Sequence, residues 1–168
     1  MQRLFLLVAA TLALAAAADS SAGAATAVGR SGDWQVFTHT GAEGQTCFAT
    51  SAPRSSEPAA AKRDAVAAFI SAWPKDGVKA EFSVKLGYPA KASAEASATI
   101  DGIAFRLTAR GDRAFVLDAI EELKLIEAMK KGATLLVQAV SERGTVTRDI
   151  FSLAGLSQAL QSLLGACG

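Results

Sequence analysis

The stretch Val78-Lys79-Ala80-Glu81-Phe82-Ser83-Val84-Lys85-Leu86 alternates without a break, every even position apolar and every odd one polar. A strand with one buried and one wet face requires this period of two, and a helix does not satisfy it. Downstream, residues 97–100 and 103–110 alternate in the same way and are joined by Asp101-Gly102. That dipeptide adopts the positive φ angles of a type I′ turn, so the two runs read as a tight hairpin. Further strands are expected at 34–39, 46–51, 66–73, 134–141 and 145–153, the last two as a hairpin around Glu142-Arg143-Gly144. Turn-forming clusters at 41–44, 53–58, 74–77 and 87–89 separate most of them. Many short strands at this spacing predict a mainly β protein, a single antiparallel β-sandwich of about eight strands.

Two segments change period. Ala119, Ile120, Leu123, Ile126 and Met129 share a helical face, and Gly132 follows as a stop, so a helix is expected near 118–131. Leu156, Ala159, Leu160, Leu163 and Leu164 give a second, C-terminal helix near 155–164. Its end delivers Cys167 to the body.

The chain begins as an exported protein does. A short basic n-region ending at Arg3 precedes the apolar run from Leu4 to Ala18, and small residues follow with cleavage sites after Ala18 or near Ala24–Ala25. Residues 1–24 are therefore expected to be a cleaved secretory signal and lead-in, 22–31 a frayed Gly/Ala-rich approach, and 31–168 one domain. The run is shorter than the roughly 18–20 residues that span a bilayer, and no transmembrane segment is expected in the mature chain. The location implied is periplasmic, or secreted and envelope-associated.

Charge is balanced, with 17 Lys plus Arg against 16 Asp plus Glu. Near-neutrality argues against a nucleic-acid partner, which would need a basic stripe to displace counterions. Only two cysteines occur, Cys47 and Cys167, and in an oxidising compartment they read as a disulfide. With His39 the single histidine, no metal cage is expected and no cofactor is implied.

In order, Gly32-Asp33-Trp34, Cys47, Pro53, Pro58, Gly87-Tyr88-Pro89, Ile100-Asp101-Gly102 and Gly111-Asp112 punctuate the strands. Ala128-Met129-Lys130-Lys131-Gly132, Arg143-Gly144, Ser152-Leu153-Ala154-Gly155-Leu156, Ala159-Leu160 and Ala166-Cys167 complete the series. This ordered set resembles the invasion-associated locus B family of exported bacterial proteins. The resemblance covers nearly the whole mature chain. It departs at Phe115, where a tryptophan is expected, at Phe151 for a tyrosine, and at Ala90 for an aromatic residue. It implies a compact β-rich fold outside the cytoplasm and, in some members, a part in host-cell entry. No catalytic residue transfers with it.

No catalytic constellation is read from the residues either. His39 has no nucleophile partner in sequence and reads as a solvent-facing strand end. Glu121-Glu122 read as a hydrated helix pair. Gly41-Ala42-Glu43-Gly44 lacks the lysine and helix of a phosphate loop. Arg110-Gly111-Asp112 spells an integrin-recognition tripeptide but reads as the turn after a strand. Trp34 reads as core. The candidate binding residues are Trp73 and Tyr88 at loop ends and Lys79, Lys85, Arg106 and Arg110, which would form a basic strip if their strands are neighbours. The function expected is a non-enzymatic interaction module meeting an envelope protein, a host-surface protein or an anionic glycan. The alternatives are an enzyme acting on envelope polymers and a periplasmic carrier of a small apolar ligand.

Overall fold

A computed structural model describes residues 23–167. The expected signal segment lies outside the described residues, apart from its last two positions. Eleven strands form one continuous antiparallel sheet in the order β1-β2-β3-β5-β6-β9-β8-β7-β10-β11-β4. They are β1 (Thr26–Ser31), β2 (Trp34–Gly41), β3 (Gly44–Ser51), β4 (Ser55–Glu57), β5 (Ala67–Trp73) and β6 (Val78–Lys85). β7 (Ala96–Ile100), β8 (Ile103–Arg110), β9 (Arg113–Phe115), β10 (Thr134–Val140) and β11 (Val146–Ser152) complete the sheet. Among the described residues two α-helices accompany it, α1 (Ala119–Lys131) and α2 (Leu156–Cys167), and a 3-10 turn at Pro74–Asp76 links β5 to β6.

The sheet turns a corner at β8. Residues 103–107 of that strand pair with β7, whereas 108–110 pair with β9. The first layer is β1-β2-β3-β5-β6-β9 with the end of β8; the second is the start of β8 with β7-β10-β11-β4. All eight expected strands are present. The three additional ones are short or carry no alternation. β1, expected as a frayed lead-in, pairs along β2 but is exposed over nearly its whole length, so no apolar period marks it. β4 is only Ser-Ser-Glu, laid on the edge of β11 inside the expected 53–58 loop. β9 is the three-residue return arm after Gly111-Asp112.

Along β6 the alternation does what its period requires: Phe82 and Val84 are buried inside, and Lys79, Glu81, Ser83 and Lys85 face out. The core joins both layers through Trp34, Val36, Ile70, Phe82, Ile100, Leu107, Leu135 and Phe151. The Asp101-Gly102 turn has φ of 48° and 90°, the two left-handed residues of a type I′ hairpin. α2 packs on β1, β2, β3 and β5 and buries Leu156, Ala159, Leu160 and Leu163, covering the inner side of the first layer only. Leu164, expected in that stripe, is exposed.

α1 buries Leu125, Ile126 and Met129, while Ile120 and Leu123 stand exposed at 65% and 64%. The expected stripe is therefore displaced. Its centre is moved by Glu122, which turns inward and accepts the Phe82 backbone N–H at 2.8 Å. That amide belongs to a stretch of β6 where β9 does not reach, since β9 pairs only with Ser83–Lys85. A buried backbone donor without a partner costs about 1–3 kcal/mol, and the glutamate supplies that partner.

The two layers close where β2 begins and β11 ends. The Trp34 Nε1–H donates to the Ser152 carbonyl at 3.0 Å, and the Asp33 N–H to the Ala154 carbonyl at 3.2 Å. Arg54 forks onto Asp33 at 2.6 and 2.7 Å, holding that carboxyl below its ordinary range. Gly32 and Gly155 make this closure sterically feasible. Both have positive φ, and a Cβ on either would collide with backbone of the other's segment, at Ala154 or Ser31.

Candidate functional site

Cys47 and Cys167 form the disulfide expected of them, 120 residues apart with Cα atoms at 5.9 Å. The bond lies on the inner side, where Cys47 pairs with Thr38 and Ala72. It fixes α2 to that side of the first layer.

The opposite face of that layer is built by strand register. Residues paired directly across an antiparallel ladder point the same way, so the outward rows can be read from the pairing. One row runs Phe37–Phe48–Ser71–Glu81 and the next Gln35–Thr50–Phe69–Ser83–Phe115–Thr108. Four phenylalanines from four strands thus share a surface that would otherwise be polar. Phe37 and Phe48 stack with ring centres 5.2 Å apart, and Phe48 meets Phe69 at 6.1 Å in a tilted pair. All four rings are half-buried, and between them they cover the hydroxyls of Ser71 and Ser83, which are 9% and 4% exposed. Phe48, Phe69, Phe115 and Trp73 line an open groove of about 450 Å³, with His39 and Glu81 on its border.

One row further along the strands, about 7 Å away, lies Lys85–Arg113–Arg110. Three cations on adjacent strands make a basic edge to the aromatic rows. Arg113 links the two, its guanidinium 5.0 Å from the Phe69 ring centre and 3.4 Å from Ser83 Oγ. A cation held over an aromatic face is attracted by the ring quadrupole, so Arg113 is fixed at the border.

The expected basic strip is divided by this arrangement. β6 and β8 are not neighbours, because β9 lies between them. Lys85 and Arg110 are brought together through Arg113, which the sequence reading did not select. Lys79 shares their face but sits six residues along the strand, about 20 Å from Lys85. Arg106 belongs to the second layer, in the row with Ser97, Gln138 and Arg148.

Trp73 and Tyr88 separate as well. Trp73 stands at the groove, while Tyr88 lines a cleft of about 800 Å³ with Lys62, Arg63, Asp64, Glu142 and Arg143. There the Tyr88 hydroxyl shares a 2.5 Å hydrogen bond with Thr147, and burial raises its pKa. Beside it, Asp149, fully buried, accepts from Ser56 Oγ at 2.6 Å and forms a bidentate ion pair with Arg63. Through Arg63 this buried carboxylate anchors the 58–66 segment to β11.

The remaining candidates fall into place individually. His39 borders the aromatic groove rather than facing a nucleophile. Gly41 to Gly44 is the tight turn between β2 and β3. Arg110-Gly111-Asp112 does not protrude freely: the Gly111 carbonyl accepts the Ala90 N–H at 2.8 Å and the Asp112 carbonyl the Leu86 N–H at 2.7 Å. Glu121 is exposed and paired with Lys124, as a hydrated helix residue would be, but Glu122 is not. Burial raises the Glu122 pKa, against the lowering effect of its Phe82 hydrogen bond. No helix among the described residues is long and apolar enough to cross a membrane.

The family model described as invasion associated locus B (IalB) protein matches residues 34–164. Among solved structures, the fold is similar to the crystal structure of invasion associated protein B from Bartonella henselae. The TM-score is 0.57 at 18% identity, over 86% of this chain and 98% of that one. No curated protein sequence matches.

Proposed function

We propose that this chain, which belongs to the invasion associated locus B family, is an exported binding module that grips a macromolecule with the outer face of its first layer. The observation that carries this reading is the row register. Phe37, Phe48, Phe69 and Phe115 face away from the core, on the side opposite α2, beside Lys85, Arg113 and Arg110. Aromatic rings supply much contact area at little loss of side-chain freedom, and adjoining guanidinium groups add directional charge, which is what recognition surfaces use.

Export is supported by three features: the basic n-region and apolar run before Asp19, the family, and the disulfide, which belongs in an oxidising compartment. The partner is an envelope or host-surface component, and the module acts by holding it rather than transforming it. A contribution to host-cell entry would follow if that partner belongs to the host.

The test is photocrosslinking in intact cells. A crosslinking residue at position 108, on the aromatic face, should yield a discrete adduct; one at Gln138, on the outer face of the second layer, should not. Adducts only from Gln138, or from neither position, would overturn this reading. Turnover of an envelope polymer by the purified protein would replace it with the enzymatic one.

A further inference from the structure

We infer that the aromatic face takes an acidic polysaccharide, a polymer of sugar rings bearing carboxylates, and this rests on the binding-face reading above. A pyranose ring is amphipathic: its C–H bonds form an apolar face, and its hydroxyls form a polar rim. Polarised C–H groups are attracted to the negative face of an aromatic ring. The groove offers both kinds of partner. Phe48, Phe69, Phe115 and Trp73 supply the ring faces, and His39, Thr46, Glu81 and Arg113 supply polar groups on the same lining. Its volume, about 450 Å³, falls within the range of ordinary ligand sites, and it is open rather than enclosed. An acyl chain would need a closed apolar cavity, and this groove has polar groups in its lining and charged borders.

The charge layout selects among sugars. Lys85, Arg113 and Arg110 form a continuous row beside the Phe69–Ser83–Phe115 row, one step of about 7 Å along the strands. A polymer stacked on the rings would place acidic substituents over these cations. Arg113, held by Phe69 and Ser83, presents its guanidinium at the boundary, and guanidinium matches a carboxylate with two parallel hydrogen bonds. Single-stranded nucleic acid also combines stacking with cations. Here, though, Glu81 closes the Phe37–Phe48–Ser71 row with a negative charge, and the chain's formal net charge is only +1. Phosphate at every unit is poorly matched by such a face.

The test uses the purified oxidised protein against immobilised alginate and hyaluronate, uronate polymers of bacterial and animal type, with neutral dextran and oligo-dT as comparators. Both uronates should bind, and dextran about tenfold or more weakly. Affinity should fall as salt rises. Joint Lys85→Ala and Arg110→Ala substitution should weaken uronate binding about tenfold and flatten the salt dependence. Trp73→Ala should weaken uronate and dextran alike, and Arg106→Ala, on the other layer, should leave both unchanged. Equal binding of dextran, preference for oligo-dT, or an effect of Arg106→Ala as large as that of the double variant would overturn the inference. If no polysaccharide binds while position 108 still crosslinks to a protein, the sugar assignment fails and the binding face stands. If neither occurs, both fail.

Discussion

At the scale of single residues, two inward-turned carboxylates carry opposite lessons. Asp149 is ion-paired with Arg63 and fully enclosed. Asp149→Ala would leave the guanidinium, itself only 7% exposed, without a counter-charge. Removing one partner of a buried pair costs about 3–5 kcal/mol, so urea unfolding should show that loss. Glu122 is the reverse case, a charge partly desolvated for the sake of one backbone N–H. Its folded pKa is raised above the ordinary 4.5, so the native state holds this proton more tightly than the unfolded chain. The stability this provides is fully present below about pH 4.5 and is lost as pH rises through the raised native value. Glu122→Gln keeps an acceptor for Phe82 and removes the titration. The variant's stability relative to the parent should therefore improve as pH climbs from 4 to 7, as measured by denaturation at several pH values. A constant difference would mean that this carboxyl titrates as an ordinary glutamate.

Among the secondary elements, α1 shows why a pattern can be right about a helix and wrong about its face. Its N-cap, Asp118, accepts from Ile120 and Glu121 N–H, and Gly132 follows its last residue. The bounds were legible from these signals. The buried side was not, because a glutamate marks solvent in any sequence reading, and only the unpaired Phe82 amide of β6 explains its inward turn. Leu125→Ala should cost about 2–5 kcal/mol, whereas Leu123→Lys should stay within about 0.5 kcal/mol of the parent; thermal or urea denaturation measures both. Strands carrying alternation, such as β6 and β8, were readable to within a residue or two. β1 and β4 were not, because edge pairing depends on backbone groups and leaves no apolar period. The candidate site was least legible of all. Phe37, Phe48, Phe69 and Phe115 lie in four separate strands, and nothing in any one strand says that the others stand beside it. Only the inter-strand register, once known, aligns them with Arg113. Of the residues selected from sequence, Trp73, Lys85 and Arg110 reach this face together. Lys79 sits farther along it, and Tyr88 and Arg106 lie elsewhere.

For the whole molecule, the disulfide decides how firmly the face is presented. Cys47–Cys167 spans 120 residues and fixes α2 against the inner side of the very strands whose outer side bears the rings. Loop-closure entropy sets an upper estimate of about 5 kcal/mol for its contribution. Cys167→Ser should lower the thermal midpoint accordingly, and reductant should do the same to the parent but not to the variant. The central claim, that this protein grips its partner on the outer aromatic face, has a direct spectroscopic reading. Of the seven phenylalanines after the expected signal, Phe37, Phe48, Phe69 and Phe115 lie on that face, and Phe82, Phe105 and Phe151 are buried inside. With fluorinated phenylalanine incorporated, ¹⁹F spectra of the protein titrated with solubilised envelope material and with alginate should show the four outer resonances shifting while the three inner ones hold. Shifts confined to Phe82, Phe105 and Phe151 would place the ligand between the layers and contradict the account.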